Sequence, residues 1–169
     1  VQFRIKHTRH SYLIGNMLDL GPQGIEVPQV ELIETAEESV KNFYYPKKGL
    51  RSWGGIYRYG LGSNPDRLKY AKWWNEYGVL WLQIESIYAV EKANSFALPG
   101  VDCLSFGPAD LTFNLESNPN YRLKNVDECV QEVVNKLVGS NTKVCFRNYT
   151  KATRQKYIDM GVTVFLERP

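Results

Sequence analysis

The chain has 169 residues, of which 43% are hydrophobic and 23% are charged, and its formal net charge is +3. This composition is typical of a globular domain and excludes a disordered or collagen-like chain. The small positive excess indicates neither nucleic acid nor a membrane surface as a partner, and no apolar run reaches the ~18 residues of a transmembrane helix. The three cysteines form no C-x-x-C pair, which predicts a reducing, cytoplasmic compartment.

Strand-like and helix-like segments alternate along the chain. In chain order the pattern predicts a strand at 1–6, a helix at 12–20, a strand at 24–30, helices at 35–43 and 65–77, a strand at 79–84, a helix at 86–97, a strand at 101–106, a helix at 126–138, a strand at 143–146, a helix at 151–160 and a strand at 162–166. Pro28 should end the second strand, since it cannot donate a ladder hydrogen bond. Thr35 with Glu38 three residues later predicts a capping box, and Pro65 is expected near the first position of its helix.

The six strands, separated by helices at roughly 25–30-residue intervals, predict a parallel sheet with helical crossovers. Two α/β architectures fit this pattern, a doubly wound sheet and a (β/α) barrel. In both, the chemistry takes place at the carboxyl ends of the strands. The residues that follow the strands are therefore the candidates for a site.

Two acidic residues follow consecutive predicted strands. Glu85 comes directly after the strand at 79–84, and Asp110 follows the strand at 101–106. Since neighbouring strands lie about 4.8 Å apart, both carboxylates can reach one ion. Such a pair suits a hard divalent cation, Mg²⁺ or Mn²⁺, although two solvated acids at strand ends would give the same pattern.

Two further groups are expected at the same edge. If residues from Leu111 onward begin a helical turn, the N–H groups of Ala109 and Asp110 form an anion site, with a simple turn as the alternative. Arg4, at the end of the first strand, can hold a carboxylate or polarise a carbonyl oxygen, or it is a surface arginine.

Several segments together resemble the HpcH/HpaI aldolase family over essentially the whole chain. The resemblance implies a TIM barrel and a metal-dependent aldolase of class II that acts on 2-oxo acids. The most specific segments are QIE at 83–85 and GPADL at 107–111. The other matching segments are GIEVPQV at 24–30, ETAEES at 34–39 and YPKKGLRSWG at 45–54.

The resemblance implies a role for each matching residue. Glu85 and Asp110 match the family's ligands of a divalent metal, which is Mg²⁺, Mn²⁺ or Co²⁺. Arg4 matches the arginine that stabilises the enolate oxygen, and Gln83 lines the site. The amides of Ala109 and Asp110 match those that bind the carboxylate of a pyruvate-like 2-oxo acid. Phe106 is expected to form a wall of the pocket.

The resemblance also implies that this chain is an incomplete barrel of six β-α steps. Residues 1–169 are expected to form a single domain without the family's first two strands and last helix. The family's histidine general base lies in the missing part, and His7 and His10 are weak substitutes for it. Because an open barrel leaves unpaired edge strands, we expect one of three arrangements: the chain is part of a longer polypeptide, a homo-oligomer or a partner chain completes the barrel, or the sheet has rearranged.

The leading functional prediction is a lyase that cleaves or forms a 4-hydroxy-2-oxo acid, with pyruvate and an aldehyde as the products of cleavage. One alternative is other enolate chemistry on a 2-oxo diacid, either decarboxylation or condensation. The other is a non-catalytic barrel fragment that binds a 2-oxo acid or serves as a scaffold. The aldehyde substrate, the metal and the general base do not follow from the sequence.

Overall fold

Six parallel strands form one sheet in the computed structural model, which describes residues 2–62 and 66–167. The strands are β1 Gln2–Arg4, β2 Gly24–Val27, β3 Val79–Ile84, β4 Cys103–Phe106, β5 Lys143–Asn148 and β6 Val164–Glu167. Each strand pairs in parallel with the next one along the chain. The six predicted strands are confirmed, and all their carboxyl ends lie at the same edge.

The helices connect the strands. They are α1 Ile14–Leu18, α2 Ile33–Phe43, α3 Arg67–Tyr77, α4 Ile87–Glu91, α5 Ala93–Phe96, α6 Pro108–Glu116, α7 Val126–Lys136 and α8 Arg154–Asp159, with short 3-10 helices at Thr8–Leu13 and Lys151–Thr153. Among residues 2–62 and 66–167, no helix has the length and apolarity needed to cross a bilayer.

The start of α2 differs from the prediction. The helix begins at Ile33, and its N-cap is Leu32, whose side chain makes no capping hydrogen bond. The expected capping box at Thr35 and Glu38 is therefore wrong. The Glu38 carboxylate instead accepts a hydrogen bond from the Ser11 hydroxyl, so a tertiary contact replaces the local one.

Other boundaries also shift. The helix predicted at 12–20 is a 3-10 helix that continues into the short α1, and the helix predicted at 86–97 is interrupted at Lys92. The turn expected after Gly107 is the complete helix α6. The helix predicted at 65–77 begins at Arg67 with Asp66 as its N-cap, and Pro65 lies outside the described residues.

The two faces of the sheet differ in polarity. The convex face packs against the helices, and its side chains are fully buried: Ile25, Val27, Leu80, Leu82, Leu104 and Phe106. The concave face carries polar side chains, which we call the polar floor: Arg4, Glu26, Gln83, Ser105 and Arg147.

Contacts across the polar floor show that the sheet is curled. The Ser105 hydroxyl on β4 donates to Glu26 Oε1 on β2 at 2.7 Å, and Arg147 Nη2 on β5 lies 3.3 Å from Glu26 Oε2. A flat sheet would hold β2 and β5 about 14 Å apart. The curvature brings these side chains together, as in a barrel. Because β1 and β6 do not pair with each other in the described residues, the barrel is incomplete, as expected.

Candidate active site

Backbone contacts from two neighbouring segments hold Glu85 at the carboxyl end of β3. The side chain is buried, and its Oε2 accepts a hydrogen bond from the Gln29 amide at 2.8 Å. Gln29 follows β2 in the left-handed region, with φ 47°, which turns this amide toward the carboxylate. On the other side lies Gly107, where an added Cβ would come within 2.3 Å of Glu85 Oε1. Only glycine leaves room for the carboxylate at this point.

Asp110 meets Glu85 from the first turn of α6. Burial raises the pKa of Glu85 above its usual range, and the charge of Asp110 and a hydrogen bond with it raise this pKa further. The Gln29 amide and the Arg4 charge act in the opposite direction. Two carboxyl groups this close favour a shared proton or a cation between them.

The donor set fits a hard divalent cation. Glu85 and Asp110 supply carboxylate oxygens, and residues 2–62 and 66–167 contain no cluster of three or more His, Cys, Asp or Glu side chains arranged around one ion. Further ligands would therefore come from water or substrate, as is usual for Mg²⁺. The pair opens into a cavity of about 410 Å³, lined by Thr8, Gln29, Glu31, Glu85, Ser86, Asp110, Phe113 and Asn114.

Arg4 is held beside this pair through Gln83. Its Nε donates to Gln83 Oε1 at 2.9 Å, and Gln83 is buried in β3, two residues before Glu85. The Arg4 charge is close enough to act on Glu85. The structure thus brings together Arg4, Gln83, Glu85 and Asp110, which the sequence placed on three separate segments.

The first turn of α6, which carries Asp110, also has backbone donors without partners. Pro108 is the first helical residue, and the N-cap, Gly107, makes no side-chain cap. The amides of Ala109 and Asp110, at the second and third positions, therefore have neither an intrahelical partner nor a side-chain cap. Both residues are exposed, and free N–H groups at the start of a helix are suited to bind an anion.

Two groups of residues considered from the sequence lie elsewhere. Phe106 is fully buried on the convex face, 6.2 Å from the ring of Phe146, and does not line the cavity. His7 is the N-cap of the first 3-10 helix, where its Nδ1 accepts from the Arg9 amide. Neither His7 nor His10 lines the cavity, although Thr8 between them does.

Glu26, which was not among the candidates from the sequence, is buried at the centre of the polar floor. A signal was present, because Glu26 is the only charged residue in the apolar strand GIEV. A charged side chain in a buried strand needs a partner. Its partners, Ser105 and Arg147, lie 79 and 121 residues away and follow only from the curvature of the sheet.

Comparisons with known proteins agree with this geometry. A family model described as HpcH/HpaI aldolase/citrate lyase matches residues 1–155. The chain is 29% identical over 156 residues to a hydroxypyruvate/pyruvate aldolase of Deinococcus radiodurans, covering 90% of the chain and 55% of that protein. It is 28% identical over 158 residues to a 5-keto-4-deoxy-D-glucarate aldolase of Shigella boydii, covering 92% and 60%.

A solved structure supports the same relationship. The HpcH/HpaI aldolase from Desulfitobacterium hafniense superposes with a TM-score of 0.82 at 26% identity, covering 99% of this chain and 64% of that one. The chain therefore spans little more than half the length of the curated relatives that it matches.

Proposed function

The chain belongs to the HpcH/HpaI aldolase/citrate lyase family, and from this premise we propose that it carries the enolate-forming site of a metal-dependent lyase. The substrate would be a 4-hydroxy-2-oxo acid, with pyruvate and an aldehyde as the products of cleavage. The observation that carries the proposal is that Glu85 and Asp110 line one cavity, with Arg4 held nearby through Gln83. The similar proteins named aldolases support the reaction class.

Each group at the site has a distinct role in this proposal. The amides of Ala109 and Asp110 bind the carboxylate of the 2-oxo acid, as helix N-termini bind anions. Arg4, oriented by Gln83, donates to the 2-oxo oxygen, where negative charge develops when the carbon–carbon bond breaks. Glu85 and Asp110 would hold Mg²⁺, Mn²⁺ or Co²⁺, and a divalent cation there supplies Lewis-acid polarisation of the same oxygen.

The domain organisation and assembly belong to the proposal as well. Residues 1–169 form one domain of the barrel, in which β1 and β6 are edge strands of the described sheet. We propose that further strands complete the barrel, either from the same polypeptide, from a second copy or from a partner chain. Open parallel edges with a concave polar interior favour such a completion.

Exchange of the pyruvate methyl protons in deuterated water tests the site directly, because it requires an enolate but no aldehyde. With Mn²⁺ present, we expect exchange in the wild type and a loss of about 100-fold in each of Glu85→Gln, Asp110→Asn and Arg4→Gln. Proton NMR measures the rate, and chelation of the metal should abolish exchange.

Glu116→Gln is the matched control, since Glu116 is an exposed acid at the far end of α6. It should exchange protons within about twofold of the wild type. A folded wild type that shows no exchange with Mg²⁺, Mn²⁺ or Co²⁺ would contradict the proposal and favour a non-catalytic barrel fragment. Exchange without cleavage of any 4-hydroxy-2-oxo acid would favour other enolate chemistry, such as decarboxylation or condensation.

A further inference from the structure

Arg147 is a second guanidinium on the polar floor, and the proposed reaction does not use it. It lies in β5, on the same concave face as Glu26 and Ser105. Its side chain is 27% exposed, so it is open to the space above the floor. An arginine in this position either only stabilises the curved sheet through its contact with Glu26, or also binds a ligand in that space.

The register of the sheet places Arg147 at the level of the candidate active site. Ser105 on β4 is opposite Cys145 on β5. Two residues further along, Arg147 is therefore opposite Gly107, the residue over which the Glu85 carboxylate lies. Arg147 is thus on the strand next to Gly107, on the side away from Glu85.

Among the described residues, the hydrogen bonds of Arg147 leave most of its donors without a partner. Nη2 alone contacts Glu26, at 3.4 Å from Oε1 and 3.3 Å from Oε2. Charge-assisted hydrogen bonds between a guanidinium and a carboxylate are normally about 2.7–2.9 Å long. A guanidinium carries five N–H donors. The contact to Glu26 is therefore long and occupies only one nitrogen.

Glu26 is fixed independently of Arg147. Its side chain is 7% exposed, and its Oε1 accepts the shorter hydrogen bond, 2.7 Å, from the Ser105 hydroxyl. This arrangement holds the carboxylate still beneath the guanidinium, whose side chain remains partly exposed. A pre-oriented guanidinium fork matches the geometry of a second carboxylate.

We propose that Arg147 binds a second carboxylate, carried on the part of the substrate distal to its 2-oxo acid group. This inference rests on the proposed function and narrows the substrate class to 2-oxo diacids. A carboxylate suits the position better than a phosphate group, since the nearby Glu26 repels a dianion more strongly than a monoanion. Arg147 is then a specificity-determining residue, distinct from Arg4 at the reacting oxygen.

Matched pairs of non-cleavable ligands test the proposal. We compare 2-oxoglutarate with 2-oxopentanoate, and 2-oxoadipate with 2-oxohexanoate, each pair having the same number of carbons. Isothermal titration calorimetry in the presence of Mn²⁺ should show that the wild type prefers the diacid of at least one pair about tenfold or more. The ratio of the affinity for the diacid to that for the monoacid should fall toward one in Arg147→Gln. In Arg147→Lys it should stay above one but below the wild-type value.

Two controls separate binding from stability. Arg154→Gln removes an exposed arginine at the start of α8 and should retain the full preference. The double variant Glu26→Gln/Arg147→Gln removes the buried charge of Glu26 together with its partner, so it should fold even if Glu26 without its partner destabilises the single variant. It should show no preference.

Equal affinities of the wild type for both members of every pair, or an unchanged preference in the folded double variant, would overturn the inference. The pyruvate exchange experiment on the wild type distinguishes the two failures. Exchange without a diacid preference removes only the role of Arg147. A diacid preference without exchange leaves Arg147 as a binding residue and removes the enolate chemistry, and absence of both removes both proposals.

Discussion

At the scale of single residues, Gly107 decides where the Glu85 carboxylate can lie. The space that a side chain at 107 would occupy is filled by Glu85, whose Oε1, Cγ and Cδ would lie 2.3, 2.6 and 2.8 Å from an added Cβ. Gly107 is also the N-cap of the helix that carries Asp110. One glycine therefore sets the distance between the two acidic residues.

We expect Gly107→Ala to displace the Glu85 side chain while the sheet remains folded. The exchange of pyruvate methyl protons should fall by about 100-fold or more, because a displacement of about 1 Å at a catalytic group has effects of this size. NMR measures the exchange, and circular dichroism checks the fold.

Gly24→Ala is a suitable comparison, since it creates a similar clash with the Val79 carbonyl at the opposite end of the sheet. Below its melting temperature this variant should exchange pyruvate protons like the wild type. If both glycine variants lose exchange in proportion to their loss of stability, Gly107 has no special role at the site.

The sequence predicted the residues of the site better than their contacts. Glu85 and Asp110 follow consecutive strands, and this alone was enough to expect them at one edge. The amide of Gln29 and the pair of Glu26 with Arg147 could not be predicted in this way. Those contacts depend on a left-handed residue and on the curvature of the sheet, neither of which the spacing of residues encodes.

At the scale of elements, α2 shows how a local signal gives way to tertiary contacts. Thr35 and Glu38 form a capping-box pattern, but the helix begins two residues earlier. The Glu38 carboxylate instead accepts a hydrogen bond from the Ser11 hydroxyl in the neighbouring 3-10 helix. The N-cap position is left to Leu32, a residue type that cannot cap and whose side chain is 59% exposed.

Leu32→Ser should therefore stabilise the protein. Leu32 already has extended backbone angles, φ −113° and ψ 138°, so a serine there can accept a hydrogen bond from the first turn. The expected gain is about 1 kcal/mol in the free energy of unfolding, measured by urea denaturation. Thr35→Ala serves as the comparison. If this variant lowers the free energy of unfolding by about 1 kcal/mol, Thr35 caps the helix and the prediction for Leu32 is wrong.

Whether a segment forms a strand or a helix was predictable from the sequence, but where a helix breaks or ends was not. The six strands follow from apolar runs that are covered by helices on one face. The interruption at Lys92 between α4 and α5, and the extension of α6 to Glu116, were not anticipated. Residues 86–97 include neither glycine nor proline, so local propensity does not account for the break.

At the scale of the whole molecule, the fold buries every thiol. Cys103, Cys129 and Cys145 are all buried and unpaired. Burial raises the pKa of Cys103 to about 12, and burial likewise raises that of Cys129 to about 12. Burial also raises the pKa of Cys145. The thiolate, which is the reactive form, is correspondingly scarce at neutral pH.

We expect the native protein to resist thiol reagents at pH 8. With a pKa near 12, only about one Cys103 or Cys129 side chain in 10⁴ is ionised at this pH. Reaction with Ellman's reagent should release no thiol signal from the folded chain and three equivalents in denaturant, matching its three cysteines. Rapid reaction of even one thiol under native conditions would show that the sheet opens locally.

The sequential order of the strands has a consequence for folding. Paired positions in neighbouring strands lie between 19 residues apart, at Cys145 and Val164, and 55 apart, at Gly24 and Val79. The floor contacts of Arg4 with Gln83 and of Glu26 with Arg147 join residues 79 and 121 apart. Each of these contacts passes over at least one intervening strand, so we expect it to form only after the strands between have paired and curved. The polar floor is thus completed late in folding, and the chain acquires its site only when the whole sheet has curved.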